Sequence, residues 1–378
     1  MFIHILSGLI FVYLFARLVW PLKLSGRLTA LAGLLLLLVS VQHFINRTVF
    51  GSMSSPELPR VMVLTQGWLF ITLLFILLLC LGRDMVLLAR FFARKLRNRI
   101  EAPHSPERRQ ALLLLAGAAI PAAYGAQEAV ALPGVKNMEA RLPRLPRELD
   151  GLRIAHLTDL HASPLLRGDW VAQVVERVNA LDPDLILFTG DIVDGLPNKR
   201  DVDVAPLKTL KARYGIYSCA GNHEYYSDHA AWMRTFPTLG IRMLMNQHVV
   251  LTIAGQPLVI AGTTDIVAQR FGLPTPDPAR ALLDAPKDAL RIMLSHRPSE
   301  VRENSRHGVD LQLSGHTHGG HMYGMTKLVS RFNDGYIYGW YEEGETLMYL
   351  SSGAGLWCGF PVRLGAPSEI PHITLRCA

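Results

Sequence analysis

The first third of the chain is a succession of long apolar runs separated by short basic connections. A helix needs about 20 apolar residues to cross the hydrocarbon core of a bilayer. Four stretches approach that length, at residues 2–20, 28–46, 61–82 and 111–131. The third is the cleanest. The fourth is the weakest, because Pro121 interrupts it and Gln127 and Glu128 follow its most apolar part; a buried hairpin or a removed export signal are its alternatives.

From Leu152 the pattern changes to short β-rich runs alternating with amphipathic segments. Leu152–Leu157, Leu185–Thr189, Ile216–Cys219, Leu258–Gly262, Arg291–Leu294 and Leu311–Leu313 read as buried strands, and Trp170–Ala180 and Asp203–Ala212 as helices between them. Strands alternating with helices predict an α/β fold of layered sheets and helices. The expected organisation is a membrane anchor over 1–135, an Arg/Pro-rich linker over 136–150 and a globular domain over 151–378.

Charge supports this division. The formal net charge is +7, which taken whole suggests a nucleic-acid partner. Residues 1–135 hold 13 Lys/Arg and 5 Asp/Glu, whereas residues 136–378 hold 25 and 26. The basicity therefore belongs to the apolar part, where it sets topology, and no nucleic-acid partner is expected. The first connection carries Arg17, Lys23 and Arg27, and the third carries Arg83, Arg90, Arg94, Lys95, Arg97, Arg99, Arg108 and Arg109; the second holds only Arg47 and Arg60. Eleven positive residues against two predict that the first and third connections are cytoplasmic. Four spans would then place the globular domain outside, as a multi-pass protein of the cell inner membrane. The run from Glu107 to Leu113 also resembles a twin-arginine export signal, although such a signal normally opens a chain; a basic flank of the fourth span is the simpler reading. The cysteines Cys80, Cys219, Cys358 and Cys377 form no CxxC pair, so neither a zinc knuckle nor a disulfide framework is indicated.

Candidate chemistry collects just after the strands. In chain order it consists of Asp159-Leu160-His161, Gly190-Asp191, Gly221-Asn222-His223-Glu224, His296, and Gly315-His316-Thr317-His318-Gly319-Gly320. Residues i and i+2 of an extended segment point the same way, so Asp159 and His161, or His316 and His318, can reach one ion. A lone strand-end Asp is more often a turn or cap residue, and a lone His more often a packed or surface one. The order D-x-H, GD, GNHE, H, GHTH, each piece following a strand, points instead to a metal site.

This array resembles the calcineurin-like metallophosphoesterase superfamily over roughly Leu152–Thr374, and with the N-terminal spans it looks most like its membrane-associated bacterial subgroup. The resemblance implies a four-layer αββα sandwich. It implies that Asp159, His161, Asp191 and His318 hold one metal, that Asp191, Asn222, His296 and His316 hold the other, and that His223 is catalytic. One departure is His321, where many relatives of the subgroup have Gln after the two glycines.

The chemistry explains the residue types. Two divalent ions about 3.5–4 Å apart clamp the phosphoryl oxygens of an anionic ester and lower the pKa of a bridging water, giving a hydroxide nucleophile. Mixed O/N ligands without Cys suit Mn, Fe or Zn. Asp194 and Glu224 are candidates to orient site residues, with a cap and a turn as their alternatives. The expected activity is hydrolysis of phosphomonoesters or phosphodiesters, with lipid head groups and other lipid-linked or envelope phosphates as substrates suggested by location alone. A non-enzymatic phosphate-ligand sensor on the same fold is the alternative, and the filled ligand positions argue against it. A channel is poorly supported, since the spans hold few ionisable groups besides His43.

Overall fold

A computed structural model describes residues 2–52, 55–96 and 108–378 of the protein. The chain divides into two compact units, Met1–Gln127 with Gly359–Val362, and Glu128–Cys358 with Arg363–Ala378.

The first unit is helical. Helix α1 covers Phe2–Leu14 and runs on through a π turn at Phe15–Val19 and a 3-10 turn at Trp20–Leu22. Helices α2, Gly26–Val49, and α3, Arg60–Leu96, follow. Among the described residues three helices are long and apolar enough to cross a membrane, within Ile5–Leu22, Gly26–Val49 and Arg60–Ala93. The fourth expected stretch is a continuous helix, α4, Arg108–Ala129, with Pro121 inside it, rather than a hairpin. Its many Ala and Gly residues leave it less apolar than the other three, and it is not among those candidates. Within this unit Asp84 accepts from Arg17 Nε at 2.8 Å and from the Tyr13 hydroxyl at 2.9 Å. Arg97 and Arg99, on which the topology argument partly rests, lie outside the described residues.

The second unit contains two six-stranded sheets. Its strands are β1 Gly134–Leu142, β2 Arg153–Leu157, β3 Leu185–Thr189, β4 Ile216–Cys219, β5 Arg242–Met243, β6 Gln247–Ile253, β7 Gln256–Gly262, β8 Leu290–Leu294, β9 Leu311–Ser314, β10 Gly339–Glu343, β11 Thr346–Leu350 and β12 Glu369–Cys377. The orders are β1-β12-β2-β3-β4-β5 and β10-β11-β9-β8-β7-β6. The runs β2 to β5 and β7-β8-β9-β11 are parallel. Leu185, Leu187 and Cys219 of one sheet pack against Leu258, Ile292 and Leu313 of the other in a buried core. Helix α5, Gly168–Ala180, buries Trp170, Val171, Val174, Val175 and Val178 on the outer face of the first sheet, against Ile186 and Phe188. Ala281 and Leu282 cover Val259, Ala261 and Met293 on the outer face of the second. This is the expected four-layer α/β/β/α sandwich.

Two expectations change. Residues 136–150 are not a free linker: β1 pairs in parallel with β12 over its whole length, and Arg147–Leu149 forms a 3-10 turn. The first five residues of β1 are largely exposed, so it lacks the apolar alternation that marks a strand in sequence. The helix expected at Asp203–Ala212 is instead Pro197–Val204 followed by a 3-10 turn at Ala205–Thr209. Pro206 has no N–H to continue an α-helical ladder, which accounts for the change.

Candidate metal centre

The parallel neighbours β2, β3 and β4 end next to one another, and so do β8 and β9. The loops leaving these five ends deliver Asp159, His161, Asp191, Asn222, His296, His316 and His318 to one buried place. The candidate ligand atoms form close groups. Those of Asp159, His161 and His318 lie within 4.8 Å of one another, as do those of Asp191, His296 and His316. His161, Asp194 and His223 form a third such group.

The local backbone differs from the extended geometry expected for the D-x-H and H-x-H pairs. Asp159, His161, Asp191, His316 and His318 all have positive φ, between 47° and 76°. Asp and His enter this region more readily than most residues, yet each such position costs about 1–3 kcal/mol and persists only where its surroundings enforce it. The enforcing contacts are visible. Both carboxylate oxygens of Asp159 accept from the His316 amide, at 3.0 and 3.1 Å. Asp191 Oδ1 accepts from the His223 amide at 2.8 Å. Gly221 and Gly315 are needed for close approach, since a Cβ on either would collide with the Asp191 or the Asp159 carboxylate.

Asn222 and His223 are not extended neighbours but lie in the first turn of a short helix, Asn222–Tyr226. Successive helical side chains still diverge, so the two can serve different ends of the site. Glu224, two positions on, is fully buried and accepts backbone N–H from Gly221 at 2.8 Å, Asp191 at 3.0 Å and Ile192 at 2.7 Å. It therefore clamps the β3 loop to the β4 loop. Burial raises its pKa to about 7.

Hydrogen bonds fix which imidazole nitrogens face inward. His296 Nδ1 donates to the Thr189 carbonyl at 2.7 Å, leaving Nε2 at 3.2 Å from Asp191 Oδ2 and 3.2 Å from Asn222 Oδ1. His161 Nδ1 lies 3.2 Å from Asp194 Oδ2, and its Nε2 lies 3.7 Å from Asp191 Oδ2. Asp191 Oδ2 thus stands between the two groups. Two pairs of ring nitrogens, His161 Nε2 with His318 Nε2 and His296 Nε2 with His316 Nδ1, face each other at 3.2 Å beside buried carboxylates. Opposed lone pairs next to anionic oxygens fit divalent cations, and the absence of Cys from the donor set fits Mn, Fe or Zn.

Asp194 holds two imidazoles. One of its oxygens is near His161, and the other is hydrogen-bonded to His223 Nδ1. Burial opposes ionisation of Asp194, but His223 and His161 hold its carboxyl well below the usual range. Burial likewise opposes a charge on His223, yet the Asp194 and Asp191 carboxylates raise its pKa to about 9. Bound cations would act in the opposite direction. His223 Nε2 faces the site, 4.0 Å from Asp191 Oδ2.

The C-terminal aromatic residues divide between packing and the site. Trp340 and Tyr349 pack against each other across β10 and β11, tilted, at 4.7 Å between ring centroids. Trp357 stands beside the site, 6.5 Å from the His223 ring. Tyr226, which the motifs did not single out, is closer, at 5.5 Å. His321 is buried with its ring 4.8 Å from that of His318, so it is no surface residue. Arg297, also unforeseen, directs its guanidinium at Asn222 and His316; its place next to His296 in the sequence was the one available signal.

Comparison with known proteins identifies the family. A family profile described as calcineurin-like phosphoesterase matches residues 152–320. The chain is 32% identical over 320 residues to the transmembrane protein with metallophosphoesterase domain of Danio rerio, covering 82% of this chain and 72% of that one. It is 36% identical over 253 residues to an uncharacterised metallophosphoesterase of Helicobacter pylori, covering 66% of each. Among solved structures, a 5'-nucleotidase precursor from Thermus thermophilus aligns with a TM-score of 0.39 at 18% identity, over 59% of this chain and 55% of that one. With candidate metal-binding clusters at the ends of its parallel strands and this level of likeness to its relatives, the chain belongs to the calcineurin-like metallophosphoesterase family, whose members are generally metal-dependent hydrolases.

Proposed function

We propose that the protein is a membrane-anchored two-metal phosphoesterase. One ion is held by Asp159, His161, Asp191 and His318, and the other by Asp191, Asn222, His296 and His316. The observation that carries this reading is the position of Asp191 Oδ2 between the two donor groups, 3.2 Å from His296 Nε2 and 3.7 Å from His161 Nε2. When bound, the metals supply charge neutralisation on the phosphoryl group and activation of water. The chain supplies the rest. Asp191 sets the spacing, and Glu224 holds the loop that carries it. Asp194 fixes the His223 ring so that Nε2 faces the leaving group and can deliver a proton to it. A full-chain preparation in detergent with Mn²⁺ should hydrolyse p-nitrophenyl phosphate or bis-p-nitrophenyl phosphate, and EDTA should abolish the activity. Binding of phosphate esters with no turnover would support the sensor instead.

In this reading the helical unit anchors the enzyme, and the charge bias of its connections supports an extracytoplasmic position for the catalytic unit at the inner membrane. Lipid head groups and envelope phosphates are then within reach. A topology assay tests this. A reporter fused after Arg99 should be active only if it works in the cytoplasm, and one at the C-terminus only if it works outside. Changing Arg94, Lys95, Arg97 and Arg99 to Asn should give mixed orientation. A cytoplasmic C-terminus would mean that residues 111–131 do not span, and would move the substrate to the inner leaflet or the cytoplasm.

A further inference from the structure

Arg297 follows His296 at the end of β8, at the partly exposed edge of the site, with its side chain 23% exposed. Its Nε donates to Asp265 Oδ2 at 2.8 Å. Asp265 is itself buried, and its other oxygen accepts from the Val267 amide at 2.7 Å, so the anchor is rigid. An Arg beside a carboxylate commonly spends two N–H groups on it. Here only Nε is spent, and both terminal nitrogens point into the site. Nη1 lies 3.0 Å from His316 Nε2, and Nη2 lies 3.3 Å from Asn222 Oδ1.

We propose that Arg297 is a phosphoryl clamp that selects phosphomonoesters over phosphodiesters, a proposal that rests on the two-metal reading above. His316 presents Nδ1 to its group, 3.2 Å from His296 Nε2. An imidazole that ligates through Nδ1 carries its hydrogen on Nε2 and is then a donor there. It cannot also accept from Nη1. Asn222 Oδ1 has two lone pairs, so as a ligand it can still accept from Nη2. In the loaded site Nη1 therefore loses its protein acceptor, and each terminal nitrogen has an N–H to offer a ligand, while Asp265 still holds the stem. An anionic phosphoryl oxygen is the acceptor that suits this fork.

The chemistry of the ester decides the selectivity. A phosphomonoester has three unesterified oxygens and a charge approaching −2, whereas a diester has two and a charge of −1, as roughly follows from ordinary phosphate pKa values. The ions, when bound, would neutralise charge on the phosphoryl group of either ester. The third oxygen of a monoester meets the fork; in a diester that place belongs to an uncharged ester substituent. His223 stands apart from this, beside His161 at 4.6 Å between ring centroids, so proton delivery and phosphoryl clamping fall to different residues.

The test compares wild type, Arg297→Ala and Arg297→Lys, all as full chain in detergent with Mn²⁺, on p-nitrophenyl phosphate and bis-p-nitrophenyl phosphate, which share a leaving group. Wild type should favour the monoester. For Arg297→Ala, kcat/KM on the monoester should fall about 10²-fold, in the range for loss of a charge-stabilising donor, and on the diester less than about 3-fold. Binding of orthovanadate, read by calorimetry, should weaken by about the same 10²-fold factor, and Arg297→Lys should recover only part of the loss because it lacks the fork. Bound Mn per chain should not fall. Equal losses on both esters, unchanged vanadate binding, loss of Mn, or a wild type that prefers the diester would each overturn the clamp. A wild type inert on both esters would instead remove the phosphoesterase reading on which the clamp depends.

Discussion

Asp191→Asn should lower turnover of bis-p-nitrophenyl phosphate by at least about 10³-fold, because loss of one charge stabiliser alone typically costs 10²–10³ and this carboxylate faces both donor groups. The geometry leaves the amide no good orientation. Oδ1 accepts from the His223 amide at 2.8 Å, and Oδ2 lies among the His296, His161 and His223 nitrogens. If the Asn oxygen keeps the His223 contact, its NH₂ points at the cations. If the oxygen faces the cations, the NH₂ opposes the His223 N–H. The charge lost is a stable one: burial works against it, but His296, His223 and His161 hold the Asp191 carboxyl well below its usual range. Metal analysis should therefore show incomplete occupancy, with a far-ultraviolet spectrum like that of wild type. Two bound metals with near-normal turnover would sink the assignment of Asp191 as the shared ligand.

His223→Ala should behave differently. It should keep both metals and lose about 10²–10⁴ in rate, as for a removed general acid. Its ring contributes no atom to the Asp159/His161/His318 group or to the Asp191/His296/His316 group. Its Nδ1 is taken by Asp194, which leaves Nε2 for the leaving group. The Asp194 and Asp191 carboxylates favour its protonated form against the effect of burial, and bound cations would oppose them. The loss should shrink as the leaving group becomes a better one, since a good leaving group needs little protonation. A plot of log rate against leaving-group pKa should accordingly be steeper for the variant than for wild type. Equal slopes would remove the general-acid role, and a collapse of metal content would place His223 among the ligands.

The sequence by itself determined much of this protein. Lengths of apolar sequence located three membrane-competent helices, because hydropathy over about 20 residues is a local property. The six buried strands were legible for the same reason, and their ends matched the structure to within two residues. The seven candidate ligands were legible because metal chemistry admits few residue types and each stood at a strand end.

What the sequence left undecided were the relations between distant positions. The pairing of β1 with β12 joins Gly134 to Glu369, and the exposed β1 gives no local sign of it. Left-handed backbone at Asp159, His161, Asp191, His316 and His318 is imposed by contacts from other loops, not by those residues' own preferences. The sharing of Asp194 between His161 and His223 depended on three loops meeting; the three amides held by Glu224 and the aim of Arg297 likewise depended on loops brought together by the fold. Short-range pattern encodes periodicity and residue chemistry, whereas a hydrogen bond between loops far apart in sequence exists only once the sheets have brought their strand ends together.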